Sequence, residues 1–458
     1  MWMMVGGLVV SSFYAKAQLP TNDSLAIKAL ANSILADDAI MQNLYYLTKK
    51  IGGRLAGSPQ MFAAEKWGLA ELEKLKPSKV FTQSCLVPRW VRGKGDTAFI
   101  NYALPNSKKL VSKSLAILAL GNSKGTTKPV QAPVVVIKSF TELEERKAEV
   151  KGKIVLFNAA FDATTVQPFR EYGKNGVYRT TGASRAAKYG AVGVLVRSMS
   201  GGTDNLPHTG NMTYNDSFPK IPAAAVGLHD ANFIASKAAS NASITLHLHG
   251  TNLPDTTGNN IIAEITGSEF PNEVITAGGH LDSWDVCEGA HDDGAGVVQT
   301  IAILRAFKQL GFAPKHTIRF VLFANEENGT RGAKAYATSF ENSNSKPIFA
   351  LESDAGGFTP RGFGFTVTDA VWEKIQAWRT LLEPYLGDKF VRGGGGADIA
   401  PLNRNFQTPI AGLQPDGQRY FDHHHAISDT FEQVNKRELQ LGAVNMAALL
   451  YLVDKYKL

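Results

Sequence analysis

The sequence predicts an α/β protein, with a mostly parallel central sheet, helices on both faces and an inserted β-rich domain. Two features of the chain predict it. After Asn260, apolar runs of strand length alternate with segments of helical periodicity, the order that builds a parallel sheet covered by helices. From about residue 111 to 250 the texture changes to short β-rich runs set in polar, Gly-rich loops.

Residues 1–17 pair a short apolar core with Ala15-Lys16-Ala17, a small-x-small cleavage pattern before Gln18. They read as a signal peptide without the usual basic start, so the mature protein is expected to be exported, secreted or periplasmic. The apolar run is too short for a membrane span, and no later stretch has the necessary unbroken length. Residues 18–110 form the first part of the main domain. Within it Leu25–Lys49 is helix-like, Ile51–Pro59 is a turn-rich link, and Gln60–Lys76 places Ala63, Trp67, Ala70 and Leu75 on one broad helical face. Val80–Val91 and Thr97–Ala103 read as strands.

The insert is expected over residues 111–255, with strands near 133–137, 153–158, 193–196, 223–226 and 244–249 and one helix-like piece, Ser184–Tyr189. Its histidines (His208, His229, His247 and His249) are scattered without carboxylates at ligand spacing, so it reads as non-catalytic. Residues 256–458 complete the main domain. Strands are expected at Val274–Gly279, Thr317–Ala324 and Ile348–Glu352, and helices at Gly294–Leu310, Gly332–Phe340, Asp369–Leu386 and Lys436–Lys455.

Composition narrows the function classes. With 458 residues, 44% apolar and 19% charged, the chain suits a globular protein of more than one folding unit. Its net charge of +7 comes from scattered basic pairs without interleaved aromatics, which argues against a nucleic-acid surface. The two cysteines, Cys85 and Cys287, do not define a redox compartment.

Chemistry concentrates in His280–Asp293, HLDSWDVCEGAHDD, between a buried strand and a helix. It places His280 and Asp282 at one end and Asp292–Asp293 at the start of the helix, where the dipole tolerates negative charge. Two further strand ends carry Glu326-Glu327 and Asp354, and a loop before the last helix carries His423-His424-His425 and Asp429. Ligand sites of open α/β sheets lie at the carboxyl ends of the strands, so these groups can converge. Mixed imidazole and carboxylate donors suit zinc, and a shared carboxylate can bridge two ions about 3.5–4 Å apart. A glutamate beside a ligand glutamate would supply the base that such a centre needs.

The blocks IGGRLAGSP, GGHLDSWDV, GAHDDGAG, ANEENGTRGA, SDAGG, GGADIAPL and HHHAISDT, spread from Ile51 to the end, give the chain a specific resemblance. It is similar to the co-catalytic di-zinc exopeptidases that include bacterial leucyl aminopeptidases and glutamate carboxypeptidase, and most to their carboxypeptidase Q branch. The resemblance implies the zinc exopeptidase fold with a protease-associated-type insert, and two Zn2+ per chain. It implies that His280 and Asp354 bind one zinc, Glu327 and His425 the other, and that Asp292 bridges them. His425 is chosen over His423 and His424 because the family's ligand histidine precedes a threonine, here Thr430, by five residues. Asp282 would hold the His280 ring by accepting its second N–H, and Glu326 would be the general base. A cis peptide is expected after Asp292.

The implied activity is hydrolysis of short peptides, most simply dipeptides with free ends, by a hydroxide bridging the two zincs. Gly393–Asp398 and Asp416–Tyr420 are expected to shape the substrate pocket. A homodimer is implied, without nucleic-acid or membrane partners. Alternative readings are a broad aminopeptidase with the same chemistry, a one-zinc glutaminyl cyclase, and a non-catalytic binding relative.

Overall fold

The computed structural model describes residues 19–104, 109–240 and 242–458. The expected signal peptide, residues 1–17, lies outside them. In chain order the strands are β1 (Lys79–Val91), β2 (Thr97–Ala103), β3 (Leu110–Ser114), β4 (Ile117–Ala119), β5 (Val130–Ile137), β6 (Ile154–Phe157), β7 (Gly193–Arg197), β8 (Ala223–Val226) and β9 (Ser243–His247). They continue as β10 (Thr251–Ile265), β11 (Phe270–His280), β12 (His316–Phe323), β13 (Lys346–Glu352), β14 (Pro360–Thr366), β15 (Lys389–Arg392) and β16 (Ile410–Pro415).

Two eight-stranded sheets result. The first runs β1-β10-β12-β11-β13-β16-β14-β15 and the second β3-β2-β9-β5-β6-β7-β8-β4. In the first, β12, β11, β13 and β16 are parallel neighbours; β10 and β14 flank them antiparallel, with β1 antiparallel beyond β10 and β15 parallel beyond β14. Alternating side chains feed two cores, as a pleated strand buried on both faces requires. Ile275, Ala277, Ile318 and Phe320 pack with helices Asp23–Leu35, Ala295–Gln309 and Lys436–Tyr456. Val274, Val321, Phe323 and Ala350 pack on the opposite side with Tyr336 and Leu402, from helices Arg331–Thr338 and Ala400–Phe406. No helix of the described residues is long and apolar enough to cross a membrane.

Several elements differ from the sequence reading. Thr97–Ala103 pairs with β3 and β9, so the second sheet begins earlier than the change of texture at residue 111 suggests. The piece expected at Ser184–Tyr189 is the end of a twenty-residue helix, Pro168–Ala187. Its polar, glycine-bearing sequence hides the periodicity, yet Gly182 is needed: a Cβ there would come within 2.8 Å of the Phe157 ring. Helix Asp23–Leu35, capped by the Asn22 side chain, ends well before Lys49, and a second helix restarts at Ala39–Tyr45. The helix expected over Asp369–Leu386 stops at Gln376 and resumes only as the short turns Arg379–Leu382 and Glu383–Tyr385. Strands β14, β15 and β16 lie in stretches with no expected element.

The second sheet departs from the first between β1 and β10. These two strands are antiparallel neighbours, with Val91 opposite Thr251, so residues 92–250 leave and return at one place.

Candidate active site

The carboxyl ends of β12, β11 and β13, adjacent and parallel, deliver the predicted residues to one edge of the sheet. His280 is the last residue of β11, Glu326 and Glu327 follow β12, and Asp354 follows β13. The remaining donors arrive on loops: Asp292 just before helix Ala295–Gln309, and His425 after a short turn at Tyr420–His423. The Asp292–Asp293 peptide is cis.

The Nε2 of His280 lies 3.1 Å from Asp292 Oδ1 and 3.3 Å from Asp354 Oδ1. The Nε2 of His425 lies 3.2 Å from Asp292 Oδ2 and 3.0 Å from Glu327 Oε2. Asp292 therefore turns one oxygen to each imidazole–carboxylate pair, and all five residues expected as ligands converge. The other ring nitrogen of each histidine faces a carbonyl: His280 Nδ1 is 3.0 Å from Asp282 O, and His425 Nδ1 is 3.2 Å from Thr209 O. Each Nδ1–H donates there, which leaves the lone pair of each Nε2 free to bind a metal ion.

The donor set fits zinc. Tetrahedral coordination with bonds of about 2.0–2.1 Å places donor atoms about 3.3 Å apart, close to the observed separations. Asp292 Oδ2 and Glu327 Oε1 are buried without a hydrogen-bond partner, as ligand oxygens aimed at an ion would be. Electrostatics agree. Burial and neighbouring carboxylates push Glu326 well above the usual carboxylate range and Glu327 up to about 7. Burial alone would lower the His425 imidazole, but Glu327 and Asp292 outweigh it and raise it to about 9. This surplus of negative potential is what a pair of divalent cations would discharge.

The role expected of Asp282 changes. Its carboxylate is 3.8 Å from His280 Nδ1, beyond hydrogen-bond reach, and accepts instead the backbone N–H groups of Glu326 (2.9 Å) and Glu327 (3.3 Å). Asp282 thus ties the end of β11 to the turn carrying the base and a ligand. Three further residues, none of them given a role from the sequence, brace the site. Asp429 accepts the N–H groups of His291 (2.8 Å) and Asp292 (3.1 Å), and burial raises it to about 7. Asp293 accepts from His280 N (3.0 Å) and Gly296 N (2.8 Å). Arg54, fully buried, donates to the carbonyls of Leu281 (2.6 Å), Glu288 (2.8 Å) and Gly289 (3.0 Å), clamping the loop that carries Asp292.

A cavity of about 440 Å³ opens over the cluster. Asp292, Glu326, Glu327 and Asp354 line it on the sheet side, Phe169, Tyr172 and Arg179 on the second-sheet side, and Tyr420 and Phe421 between them. Of Asp416–Tyr420, Tyr420 lines the cavity. The Gly393–Asp398 stretch packs deeper: Gly396 lies against the Glu352 carboxylate, and Asp398 is wholly buried with its N–H on Glu352. His423 and His424 are buried too, and His424 Nε2 stands 3.6 Å from Asp292 Oδ2.

The family model for peptidase family M28 matches residues 260–450, the span holding all five convergent donors. The chain is 35% identical to carboxypeptidase Q of Homo sapiens over 425 residues, covering 91% of this chain and 86% of that protein. The chain belongs to peptidase family M28. The carboxypeptidase Q of Mus musculus is likewise 35% identical over 419 residues, covering 90% of this chain and 85% of its own. The crystal structure of a peptidase M28 precursor from Shewanella amazonensis superposes with TM-score 0.88 at 31% identity, over 95% of this chain and 97% of that one. BSAP, a zinc aminopeptidase from Bacillus subtilis, shares the fold at TM-score 0.64 and 21% identity, over 96% of this chain and 97% of its own. Membership in M28 makes the chain a zinc metallopeptidase.

Proposed function

We propose that this M28 peptidase is an exported di-zinc exopeptidase acting on short peptides, chiefly dipeptides with free ends. The observation that carries the reading is Asp292, whose two oxygens face separate imidazole–carboxylate pairs. His280 and Asp354 would hold one ion, His425 and Glu327 the other, and Asp292 both. Zinc bound there would polarise the scissile carbonyl and acidify a water.

The chain's own residues supply the rest. Glu326 lines the cavity outside the donor contacts, its backbone fixed by Asp282. It takes a proton from the attacking water and passes it to the leaving amine. The small cavity, roofed by the Pro168–Ala187 helix, favours short substrates over extended chains. The reading includes a protease-associated-type insert that carries the second sheet, and a homodimer, both as the sequence resemblance implies.

Metal analysis of the purified mature protein, joined to a panel of dipeptides, longer peptides and aminoacyl arylamides, tests it. Two zinc ions per chain and preference for dipeptides are expected. Preference for arylamides would favour the second reading, a broad aminopeptidase, which the fold shared with the Bacillus subtilis enzyme supports. One ion per chain would point to a glutaminyl cyclase instead. The full donor set and Glu326 weigh against a non-catalytic binding relative.

A further inference from the structure

Of the two imidazoles in the cavity wall, His425 has a place among the five donors and His424 has none. Yet His424 Nε2 stands 3.6 Å from Asp292 Oδ2, the oxygen that also faces His425 Nε2 at 3.2 Å. Donor atoms of Asp292, His424 and His425 all lie within 4.8 Å of one another, as do those of the separate group His280, Asp292 and Asp354. Two nitrogens bound to one tetrahedral zinc sit about 3.3 Å apart. The His424 and His425 rings run side by side at that spacing, with centroids 3.5 Å apart and 21° between their planes.

Packing alone does not account for an imidazole here. Tyr172, Tyr420 and Phe421 surround the ring with centroids 4.9, 5.1 and 5.3 Å away, a setting that phenylalanine would fill without two polar nitrogens. Neither nitrogen has a hydrogen-bond partner among the described residues, whereas buried polar groups ordinarily find one. The aromatic neighbours fix the ring's orientation, the task that carbonyls perform for His280 and His425. The main chain is held as well, since the His424 carbonyl accepts from His208 Nδ1 at 2.8 Å.

We infer that His424 is a sixth donor, joining His425, Glu327 and Asp292 on one ion and leaving His280, Asp354 and Asp292 on the other. The two positions then differ in kind. Four protein donors complete a tetrahedron, as in sites that only hold an ion, whereas three leave a place for water or substrate. That place lies on the side of His280 and Asp354. The inference rests on the two-ion reading above and divides the labour between its ions.

The test is metal binding by the full chain, stripped with a chelator and titrated with Zn2+ and with Co2+, in the native protein, His424→Phe and His424→Ala. His424→Phe keeps the ring packing and removes both nitrogens. The native protein is expected to bind two ions. Each variant should hold one of them as the native does and the other more weakly, by at least the roughly 10- to 100-fold that loss of even an outer-shell partner gives. The visible absorption of the Co2+-loaded protein should change for that one equivalent, and free imidazole, which has room only in His424→Ala, should restore it there. Native affinities and an unchanged Co2+ spectrum in His424→Phe overturn the inference even if turnover falls, because His424 then acts on the substrate. A native protein that binds a single ion fails the two-ion reading instead. In that case weaker binding of the single ion by both variants still assigns His424 to it, and unchanged affinity overturns the assignment.

Discussion

The carbonyl of Thr209 accepts the Nδ1–H of His425 at 3.2 Å, while the Thr209 N–H donates to the His425 carbonyl at 3.0 Å. A residue of the second sheet's unit thus orients His425, a proposed zinc ligand, from both sides. Beside it the buried His208 ring donates through Nδ1 to the His424 carbonyl at 2.8 Å. Replacing His208 by Ala should free this loop and weaken binding of the ion held by His425 by about 10- to 100-fold, the usual cost of losing an outer-shell partner. His208→Asn, whose amide N–H can replace the Nδ1 donor, should retain it. Zinc titration of the two variants checks this, and equal affinities would remove His208 from the role.

Glu326 tests the chemistry apart from the metal. Glu326→Gln preserves shape and leaves the five donors in place, so zinc content and thermal stability should match the native enzyme. Turnover should fall by about 10²–10⁴-fold, the range ascribed to a positioned proton-transfer group. Steady-state kinetics alongside metal analysis read both halves, and a variant with near-native kcat would exclude Glu326 as the base.

Arg54 makes a structural prediction. Its guanidinium satisfies three carbonyls in the loop from Leu281 to Gly289, two of them buried and that of Glu288 half-buried. Arg54→Met fills much of the volume but leaves those acceptors without a donor, at about 1–3 kcal/mol for each unsatisfied group. Denaturant unfolding should show a loss of several such increments, and zinc should dissociate at lower chelator concentration. A variant of native stability would mean that water or a shifted loop serves those carbonyls.

Away from the metal cluster, Asp230 sets a limit to acid stability. Burial would raise its carboxyl, but hydrogen bonds from Lys113, the Ala116 N–H and Asn205 outweigh burial and hold it below the usual carboxylate range. A depressed folded-state pKa contributes stability that is fully present above the unfolded-state value, near 3.8–3.9, and is lost as pH falls through the folded value. Asp230→Asn should therefore lower stability at neutral pH and flatten its decline below about pH 4. Parallel acid-unfolding curves for the two proteins would show it. Curves of identical slope would contradict the assignment.

Much of the cluster was legible because β11, β12 and β13 are buried on both faces and so appear as continuous apolar runs. Where those runs stop, the next polar residues must sit at the sheet edge, which is where His280, Glu326, Glu327 and Asp354 lie. The braces were less visible for two reasons. Arg54 sits in a turn-rich link whose composition says only that the chain bends, and nothing local marks its side chain as buried. Thr209 acts through its main chain, which leaves no trace in residue identity. The helix Pro168–Ala187 was largely missed because its glycines and polar residues dilute the apolar period, although it supplies one wall of the cavity. For Asp282 the resemblance implies a side-chain contact with the His280 ring that its backbone carbonyl makes instead.

The pairing of Val91 with Thr251 has an evolutionary consequence. To the host sheet, everything between those two positions is the connection of a hairpin, and each doubling of a flexible connection costs only about 0.6 kcal/mol in closure entropy. The roof over the cavity can be redrawn between descendants wherever it leaves Thr209 and His208 in place on the His425 loop, while the floor stays fixed.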